Sequence, residues 1–491
     1  MSSLASSSLS PSNPQSPSHD QDSEPPATFV IAGGGIVGLV LALAIKKHLG
    51  ITAEIYEKAR GFAEDVGAGL GLYPNGMRVL RDIDPALLRS IREAGHPYLY
   101  RIWEKHDGTE VAKANEDFLA GGEEELYSIG IKRWRLQDEL YAAVAKARIP
   151  IHFRKATTNV VEREEDGLIE VHFADGTSRL TQVLFGVDGA KSRVREVFAD
   201  PDTHLSYTGV TCLMGTAQCP VQRQGIHFPS SVTSKFHATY FPVGENEQCF
   251  QIHFPIEAEQ TDKNDWGNLT KAEGKVQFEK LAQNMKEDGW DRQYLDPLYS
   301  VDHAVRVGFA LLNPRLERWV YGRNRRVVLV GDAAHPPVPY VGQGAQMGIE
   351  DAGTLVLLMK ALCYDEESRT LDLSNFGKAT EIYERLRIPR TSSMLDCSKS
   401  YGSIQERRTH RETGSFQDLL IQGEVMMNDT VAELLPGATF NYAEDVRRAL
   451  KREEKKKRAS LKHSSSTNSN LGRDQMKEAL AQLWGGTMPF V

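Results

Sequence analysis

The sequence predicts an α/β fold in which a domain of parallel strands and helices is interrupted by a smaller β-sheet domain and followed by C-terminal helices. Three observations predict it. A glycine-rich turn joins a short apolar run to a helix-forming run near Gly33, two later apolar runs end in Asp188 and Asp332, and strand-like alternation fills much of residues 201–320. At 491 residues the chain is long enough for more than one substructure.

Composition narrows the class of protein. A hydrophobic fraction of 40% and a charged fraction of 25% are those of an ordinary globular protein. The formal net charge of −8 argues against a nucleic acid partner. The five cysteines are odd in number and include no CxxC pair, so they indicate neither a disulfide framework nor a metal site. A reducing, cytoplasmic location is expected.

The chain ends differ in composition from the rest. Residues 1–27 are rich in Ser and Pro and contain no Lys or Arg, which predicts a disordered tail rather than a targeting signal. Residues 401–491 are expected to be helical, with a basic run at Arg447–His463 and a Ser-rich linker after it, to which no function is assigned. The uncharged stretch Ala27–Ile45 has the length of a membrane span, but its three central glycines predict a strand, a turn and a buried helix instead.

That first strand and helix carry a GxGxxG pattern at Gly33, Gly35 and Gly38. Glycine suits the sharp turn, the approach of backbone N–H groups to a pyrophosphate, and close packing of helix on strand. Glu57 follows at the end of a second β-type run, where its carboxylate can accept both hydroxyls of an adenosine ribose. The acid repels a 2′-phosphate, so the pattern predicts a site for FAD or NAD and not for NADP.

Two further segments favour a flat ligand. Glycine is dense from Gly67 to Leu72, which is typical of close approach between backbone and a planar group. Arg133, Leu136 and Leu140 have helical spacing, which places the two leucines on a buried face and Arg133 at the start of a helix.

Two later strand ends repeat the pairing of a carboxylate with glycine. One apolar run delivers Asp188 and Gly189, and another delivers Gly331 and Asp332, after which a long helix is predicted to open near Gly344. A carboxylate at such a position can hold sugar-like hydroxyls, and the positive end of the helix dipole can stabilise negative charge on a ring.

Together these motifs resemble those of the single-component FAD-dependent monooxygenases of the aromatic-hydroxylase type, including zeaxanthin-epoxidase-like members and those of fungal secondary metabolism. The resemblance runs from Phe29 to Arg390. It implies a Rossmann-like FAD-binding domain and a tightly bound FAD. The implied contacts are Gly33, Gly35 and Gly38 at the pyrophosphate, Glu57 at the adenine ribose, Gly71 near the flavin, Arg133 at the phosphate or ribityl region, Asp188 for both FAD and pyridine nucleotide use, Asp332 at the ribityl chain, and Gly344 and Ala345 beside the flavin pyrimidine.

The resemblance also implies the reaction. NAD(P)H would reduce the flavin, dioxygen would add at C4a, and the resulting hydroperoxide would transfer one oxygen atom to an aromatic or polyketide-like small molecule. No second GxGxxG follows a strand, which is similar to the family's transient binding of NAD(P)H. The implied organisation is a tail at 1–27, a first part of the FAD-binding domain at 28–200, a substrate-binding sheet at 201–320, the return of the FAD-binding domain at 321–400, and a helical region at 401–491.

A phenol hydroxylase needs a group that orients or deprotonates the substrate hydroxyl. His237 and Tyr240 lie on the predicted strand Lys235–Val243 and are the candidate catalytic residues. Because they are three residues apart, an ideal strand directs them to opposite faces, and only one can face the substrate.

Other functions remain open at this point. The stretch Tyr207–Gly215 carries no cation where many phenol-acting members have Arg, and it is similar to epoxidising members, so epoxidation of an alkene or polyene is an alternative. A flavin halogenase is disfavoured because no WxWxIP pattern is present. A non-catalytic nucleotide-fold protein, like the Rab GDP-dissociation inhibitors, is the alternative from another class. The sequence leaves the substrate and the oligomeric state undetermined.

Overall fold

A computed structural model describes residues 24–62, 67–115, 117–220, 225–231, 233–234, 236–255, 267–406 and 437–464. Most of the tail predicted at 1–27, and the parts of 401–491 that lie between and beyond these ranges, are outside the described residues.

The described helices are α1 (Ile36–Leu49), α2 (Pro74–Ile83), α3 (Pro85–Ala94), α4 (Asp117–Ala120), α5 (Arg133–Lys146), α6 (Lys271–Glu287), α7 (Arg292–Tyr299), α8 (Gly344–Cys363), α9 (Phe376–Glu406) and α10 (Tyr442–Ser464). The described strands are β1 (Ala27–Ala32), β2 (Glu54–Glu57), β3 (Gly69–Leu72), β4 (His96–Pro97), β5 (Tyr100–Lys105), β6 (Glu110–Asn115), β7 (Ile129–Lys132), β8 (Ile151–Phe153), β9 (Thr157–Glu162), β10 (Ile169–Phe173), β11 (Ser178–Gly186), β12 (His204–Gln218), β13 (Ile226–Ser230), β14 (His237–Gly244), β15 (Glu247–Pro255), β16 (Gly267–Leu269), β17 (Val301–Asn313), β18 (Val320–Tyr321), β19 (Val327–Leu329), β20 (Tyr364–Asp365) and β21 (Thr370–Leu371).

The first of two large sheets has the order β18-β19-β11-β1-β2-β8, and β9 and β10 extend it from β11. Strands β19, β11, β1, β2 and β8 run parallel to one another. Their carboxyl ends therefore lie at one edge of the sheet, where ligands bind in open parallel sheets. This edge carries the turns after β1, β11 and β19, so the predicted α/β fold is confirmed.

Helix α1 explains the uncharged stretch at the start of the fold. It is apolar from Ile36 to Ile45, is buried over most of that length, and packs between the sheet and α8. A helix that is apolar around its circumference belongs in a protein core or a membrane. In the part of the chain that the structure describes, no helix combines the length and apolarity needed to span a bilayer.

The second sheet has the order β16-β17-β12-β15-β14-β13-β5-β6. Strands β5 and β6 come from residues 100–115, so this sheet is not contained within residues 201–320. Helices α6 and α7 pack against one face, where Phe278 and Leu298 join Phe250 in a buried apolar cluster. The opposite face is turned toward the loops of the first sheet.

The C-terminal helices close over α8. Helix α9 runs along it, and α10 buries Tyr442 and Val446 at its start. The consecutive basic residues Lys455–Arg458 lie on the exposed later part of α10, as expected for a solvated helix end.

Candidate active site

The glycine turn after β1 is shaped by two close approaches. Gly33 has a φ of +113°, and a Cβ placed there would lie 2.4 Å from the carbonyl oxygen of Val187. A Cβ on Gly38 would lie 2.0 Å from the carbonyl oxygen of Gly33. Gly35 differs, because no atom lies within 4 Å of a Cβ built there. Gly33 and Gly38 thus permit tight packing, and Gly35 leaves open space before the N-terminus of α1.

Glu57, at the end of β2, lies beside this turn. Its carboxylate accepts hydrogen bonds from the backbone N–H of Gly34 at 2.7 Å and of Ala59 at 2.8 Å. These bonds fix the carboxylate beside the turn.

Arg133, at the start of α5, lies within electrostatic range of two carboxylates. Burial lowers its pKa, while the charges of Asp332 and Glu57 oppose this change. The side chain of Asp332 is accessible from the cleft, but the cleft lies deep in the protein, so many protein atoms surround the carboxyl group. Burial raises its pKa, and His335 and Arg133 oppose the rise. Arg133 is thus electrostatically coupled to one carboxylate of the first motif and one of the last.

The loop after β11 is held by Asp188. Its Oδ2 accepts hydrogen bonds from the N–H of Arg193 at 2.7 Å and of Val194 at 3.1 Å. Its Oδ1 is buried and has no partner among the described residues. Arg195 then links this loop to the next one, because its guanidinium donates to the carbonyl of Ala333 at 2.7 Å.

A buried network of charges lies beneath the start of α8. Asp351 accepts from the N–H of Gly331 at 3.0 Å, contacts His335 Nε2 at 2.5 Å and accepts from Arg387 Nε at 2.6 Å. Glu350 lies 2.7 Å from Arg387 Nη1. Burial raises the pKa of Asp351, but His335 and Arg387 lower it below its ordinary value. The network fixes the Gly331–Asp332 turn to α8.

Helix α8 is also tied to β3. The side-chain amide of Gln346 donates to the carbonyl of Gly71 at 2.7 Å. A Cβ at position 71 would lie 2.8 Å from the hydroxyl of Tyr98, so a larger residue there would require the buried tyrosine to move. Gln346 therefore fixes the position of β3 relative to the start of α8.

These elements enclose a cavity of about 280 Å³ between the two large sheets. Its first wall contains four residues singled out from the sequence, namely Gly71, Asp332, Gly344 and Ala345. Its second wall comes from the second sheet, which is antiparallel except for the parallel pair β13 and β5. This wall consists of Arg101, Met214, Ile226, Phe228, Thr239, Phe241, Gln251 and His253. One chamber thus joins the motif residues to a surface made equally of apolar and polar side chains.

The two catalytic candidates do not line this cavity. Tyr240 lies on the other face of β14, where its hydroxyl donates to the carbonyl of Tyr294 at 2.8 Å. Burial raises its pKa well above the ordinary value. This position removes it from the reach of a substrate in the cavity, so the expectation for Tyr240 is corrected. His237 is on the cavity-side face but is buried, with Nδ1 3.0 Å from the hydroxyl of Ser230.

Sequence reasoning missed Arg101 and His253. Arg101 supplies from β5 the cation that was sought in Tyr207–Gly215, and its guanidinium lies 5.3 Å from the ring centre of Tyr73. His253 lies directly opposite His237 in the pairing of β14 with β15. Its pairing could not be read from the sequence, because a bulge between Pro242 and Gly244 shifts the register of the two strands.

Comparison with known proteins identifies the family. Residues 27–374 match the family model described as FAD binding domain. The chain is 27% identical to the 6-hydroxynicotinate 3-monooxygenase of Bordetella bronchiseptica, covering 74% of this chain and 88% of the relative. It is 26% identical to the FAD-dependent monooxygenase pigN of Monascus ruber, covering 78% of this chain and 88% of the relative.

Solved structures agree on the fold. Klebsiella pneumoniae HpxO, complexed with FAD and uric acid, superposes with a TM-score of 0.64 at 19% identity, covering 86% of this chain and 95% of HpxO. CtdE, in complex with FAD and a substrate, gives a TM-score of 0.69 at 15% identity, covering 87% of this chain and 98% of CtdE. The family match extends over most of the chain and agrees with the fold and the convergence of the motifs. The chain therefore belongs to the FAD binding domain family and is an FAD-dependent monooxygenase.

Proposed function

We propose that this enzyme uses NAD(P)H and dioxygen to hydroxylate a ring that already carries a hydroxyl group, in an aromatic or polyketide-like small molecule. The observation that carries the proposal is the single cavity with two unlike walls, one formed by Asp332, Gly344 and Ala345 and the other by apolar and polar residues of the second sheet. A ring held between these walls would be presented to a flavin at the first wall.

The residues present fit FAD. Open space in front of Gly35, at a helix start whose first turn has no acidic residue, suits a pyrophosphate. Glu57 suits the adenine ribose and Asp332 the ribityl chain, with Arg133 within electrostatic range of both. The first turn of α8 also lacks acidic residues, so its N-terminus, at Gly344 and Ala345, would stabilise negative charge on the flavin pyrimidine. The buried, unpartnered Oδ1 of Asp188 is consistent with a further polar contact near this edge.

The protein's contribution would be placement, charge stabilisation and exclusion of water. FAD, once reduced by NAD(P)H, supplies the activation of dioxygen. The apolar side chains of Met214, Phe228 and Phe241 would exclude water from the reacting ring and hold it flat. Arg101 would attract an anionic substituent.

The relatives support a hydroxylated ring as substrate. Their printed activities include 6-hydroxynicotinate 3-monooxygenase and, in Streptomyces platensis, 3-amino-4-hydroxybenzoate 2-monooxygenase. Each of these names a ring bearing a hydroxyl group. We extend to this chain the shared chemistry and not the individual compound.

The proposed compartment is cytoplasmic. All five cysteines are free in the structure, which supports a reducing environment.

The test uses the FAD-loaded enzyme with NADH or NADPH and a panel of phenols, hydroxypyridines, enones and polyenes. Nicotinamide oxidation is followed by absorbance, and mass spectrometry detects products that gain one oxygen atom. Hydroxylation of a phenol or hydroxypyridine supports the proposal. Epoxidation of polyenes alone would favour the epoxidase function instead. A protein that binds no FAD would favour the non-catalytic alternative.

A further inference from the structure

One side chain in the wall of the cavity has no hydrogen-bond partner. His253 lines the cavity from β15 and is only 7% exposed. Neither of its ring nitrogens has a partner among the described residues. A neutral imidazole carries one N–H donor and one lone-pair acceptor, and leaving both unpaired in the interior costs free energy. Such a group calls for an explanation.

The neighbours of His253 are mostly aromatic or apolar, and His237 lies directly opposite it on β14. Its ring lies edge-on to Phe309 at 5.4 Å and to Tyr340 at 5.6 Å, measured between ring centres. The residue paired with it on β12 is Cys212. These neighbours fix the imidazole and leave its hydrogen-bonding capacity unused. A Leu or Phe would fill the same position without that cost.

The protonation state of His253 matches this environment. Burial lowers its pKa from 6.5 to about 4, so the ring is neutral at neutral pH. A neutral ring can accept a hydrogen bond from a hydroxyl group or donate one to a carbonyl oxygen. A protonated ring can only donate.

We propose that His253 is the substrate-recognition residue of the cavity and that it selects a ring bearing a hydroxyl group by forming a hydrogen bond with that group. This inference rests on the proposed function, because it assumes that the cavity holds the substrate. Gln251, two residues earlier on the same face, is the nearest alternative hydrogen-bonding side chain of this strand in the cavity wall.

The test compares phenol with toluene, which replaces the hydroxyl by a methyl group of similar size. Both are titrated into the FAD-loaded enzyme, and dissociation constants are obtained by equilibrium dialysis with the flavin absorbance as a second readout. A site built to bond a hydroxyl rejects the analogue that lacks it, and wild type should prefer phenol by roughly tenfold or more.

Variants separate His253 from its neighbours. His253→Leu should abolish the preference or reverse it toward toluene, because the wall becomes apolar. His253→Gln, whose amide both donates and accepts, should retain much of the preference. Gln251→Leu and His237→Leu should each change the ratio of the two dissociation constants by less than about threefold. This change is well below the effect expected from losing one hydrogen bond in the interior.

Three results would overturn the inference. One is an unchanged preference in His253→Leu, and another is loss of the preference in Gln251→Leu with its retention in His253→Leu. The third is a wild-type enzyme that binds neither probe or binds both equally. Flavin content of each variant is measured alongside, so that loss of FAD, which would count against the proposed function, is distinguished from loss of recognition at a loaded site.

Discussion

Removal of the Arg387 guanidinium tests whether the buried charges beneath α8 stabilise the fold. The Arg387 side chain is 0% exposed, as are the side chains of its partners Glu350 and Asp351. Its Nη1 lies 2.7 Å from Glu350, and its Nε lies 2.6 Å from Asp351. With Arg390, which lies 3.0 Å from Glu350, the four formal charges sum to zero. Arg387→Met keeps the aliphatic stem and leaves one negative charge uncompensated in the core.

The expected cost follows from that burial. Removing one partner of a buried ion pair destabilises a protein by about 3–5 kcal/mol, because the remaining charge stays desolvated. Arg390 is the matched control, since its side chain is 13% exposed and contacts Glu350 but not Asp351 among the ion pairs of the described residues. Arg390→Met should therefore cost less, about 1.5–3 kcal/mol.

The assay is urea unfolding of the FAD-saturated protein at pH 7, followed by far-ultraviolet circular dichroism. Adding Asp351→Asn to Arg387→Met removes the uncompensated charge, so the double variant should lose less stability than the sum of the two single variants. A loss below about 1 kcal/mol in Arg387→Met, or a larger loss in Arg390→Met, would refute the reasoning, because either result means that the pair is not desolvated as the burial indicates.

Three further outcomes are expected. Glu57→Ala should weaken FAD binding by roughly 2–5 kcal/mol, the worth of one or two hydrogen bonds to a charged group, and Glu57→Gln by less; an unchanged FAD dissociation constant would remove the ribose assignment. Gly38→Ala places a Cβ 2.0 Å from the carbonyl of Gly33 and should lower the urea midpoint of the flavin-free protein, whereas Gly35→Ala, which meets no atom within 4 Å, should leave it unchanged. The folded pKa of His253, about 4, is below its unfolded value of 6.5, so between these pH values the unfolded ring binds a proton that the folded ring does not, and the folded state loses stability as the pH falls from 6.5 toward 4. The loss amounts to about 3 kcal/mol, and a stability profile of His253→Leu that keeps the same slope between pH 6.5 and 4 would contradict the burial of a neutral ring.

The parts of the site that could be predicted from sequence are those built from short, continuous segments. The turn at Gly33–Gly38, the carboxylate of Glu57 and the turn at Gly331–Asp332 each depend on a strand, a few loop residues and the start of a helix. Local periodicity and glycine placement specify such units, because their geometry is set by neighbours in sequence. Their convergence at one sheet edge also follows, since parallel strands bring their carboxyl ends together.

The second wall of the cavity depended on pairings between distant strands. Arg101 reaches it because β5 adds to β13, which lies more than a hundred residues later in the chain. His253 lines the cavity and Tyr240 does not, because the pairing of β14 with β15 decides which side chains share a face. A shift of one residue reverses every side chain of a strand, and the bulge before Gly244 is such a shift.

The sequence alone thus determined the class of cofactor, the α/β core and the residues expected to contact FAD, because a nucleotide site is assembled from local strand-to-helix turns. Only the tertiary structure decided which side chains would meet a substrate. Those side chains come from separate strands of the second sheet, and their directions are fixed by cross-strand register, which no single segment of the chain contains.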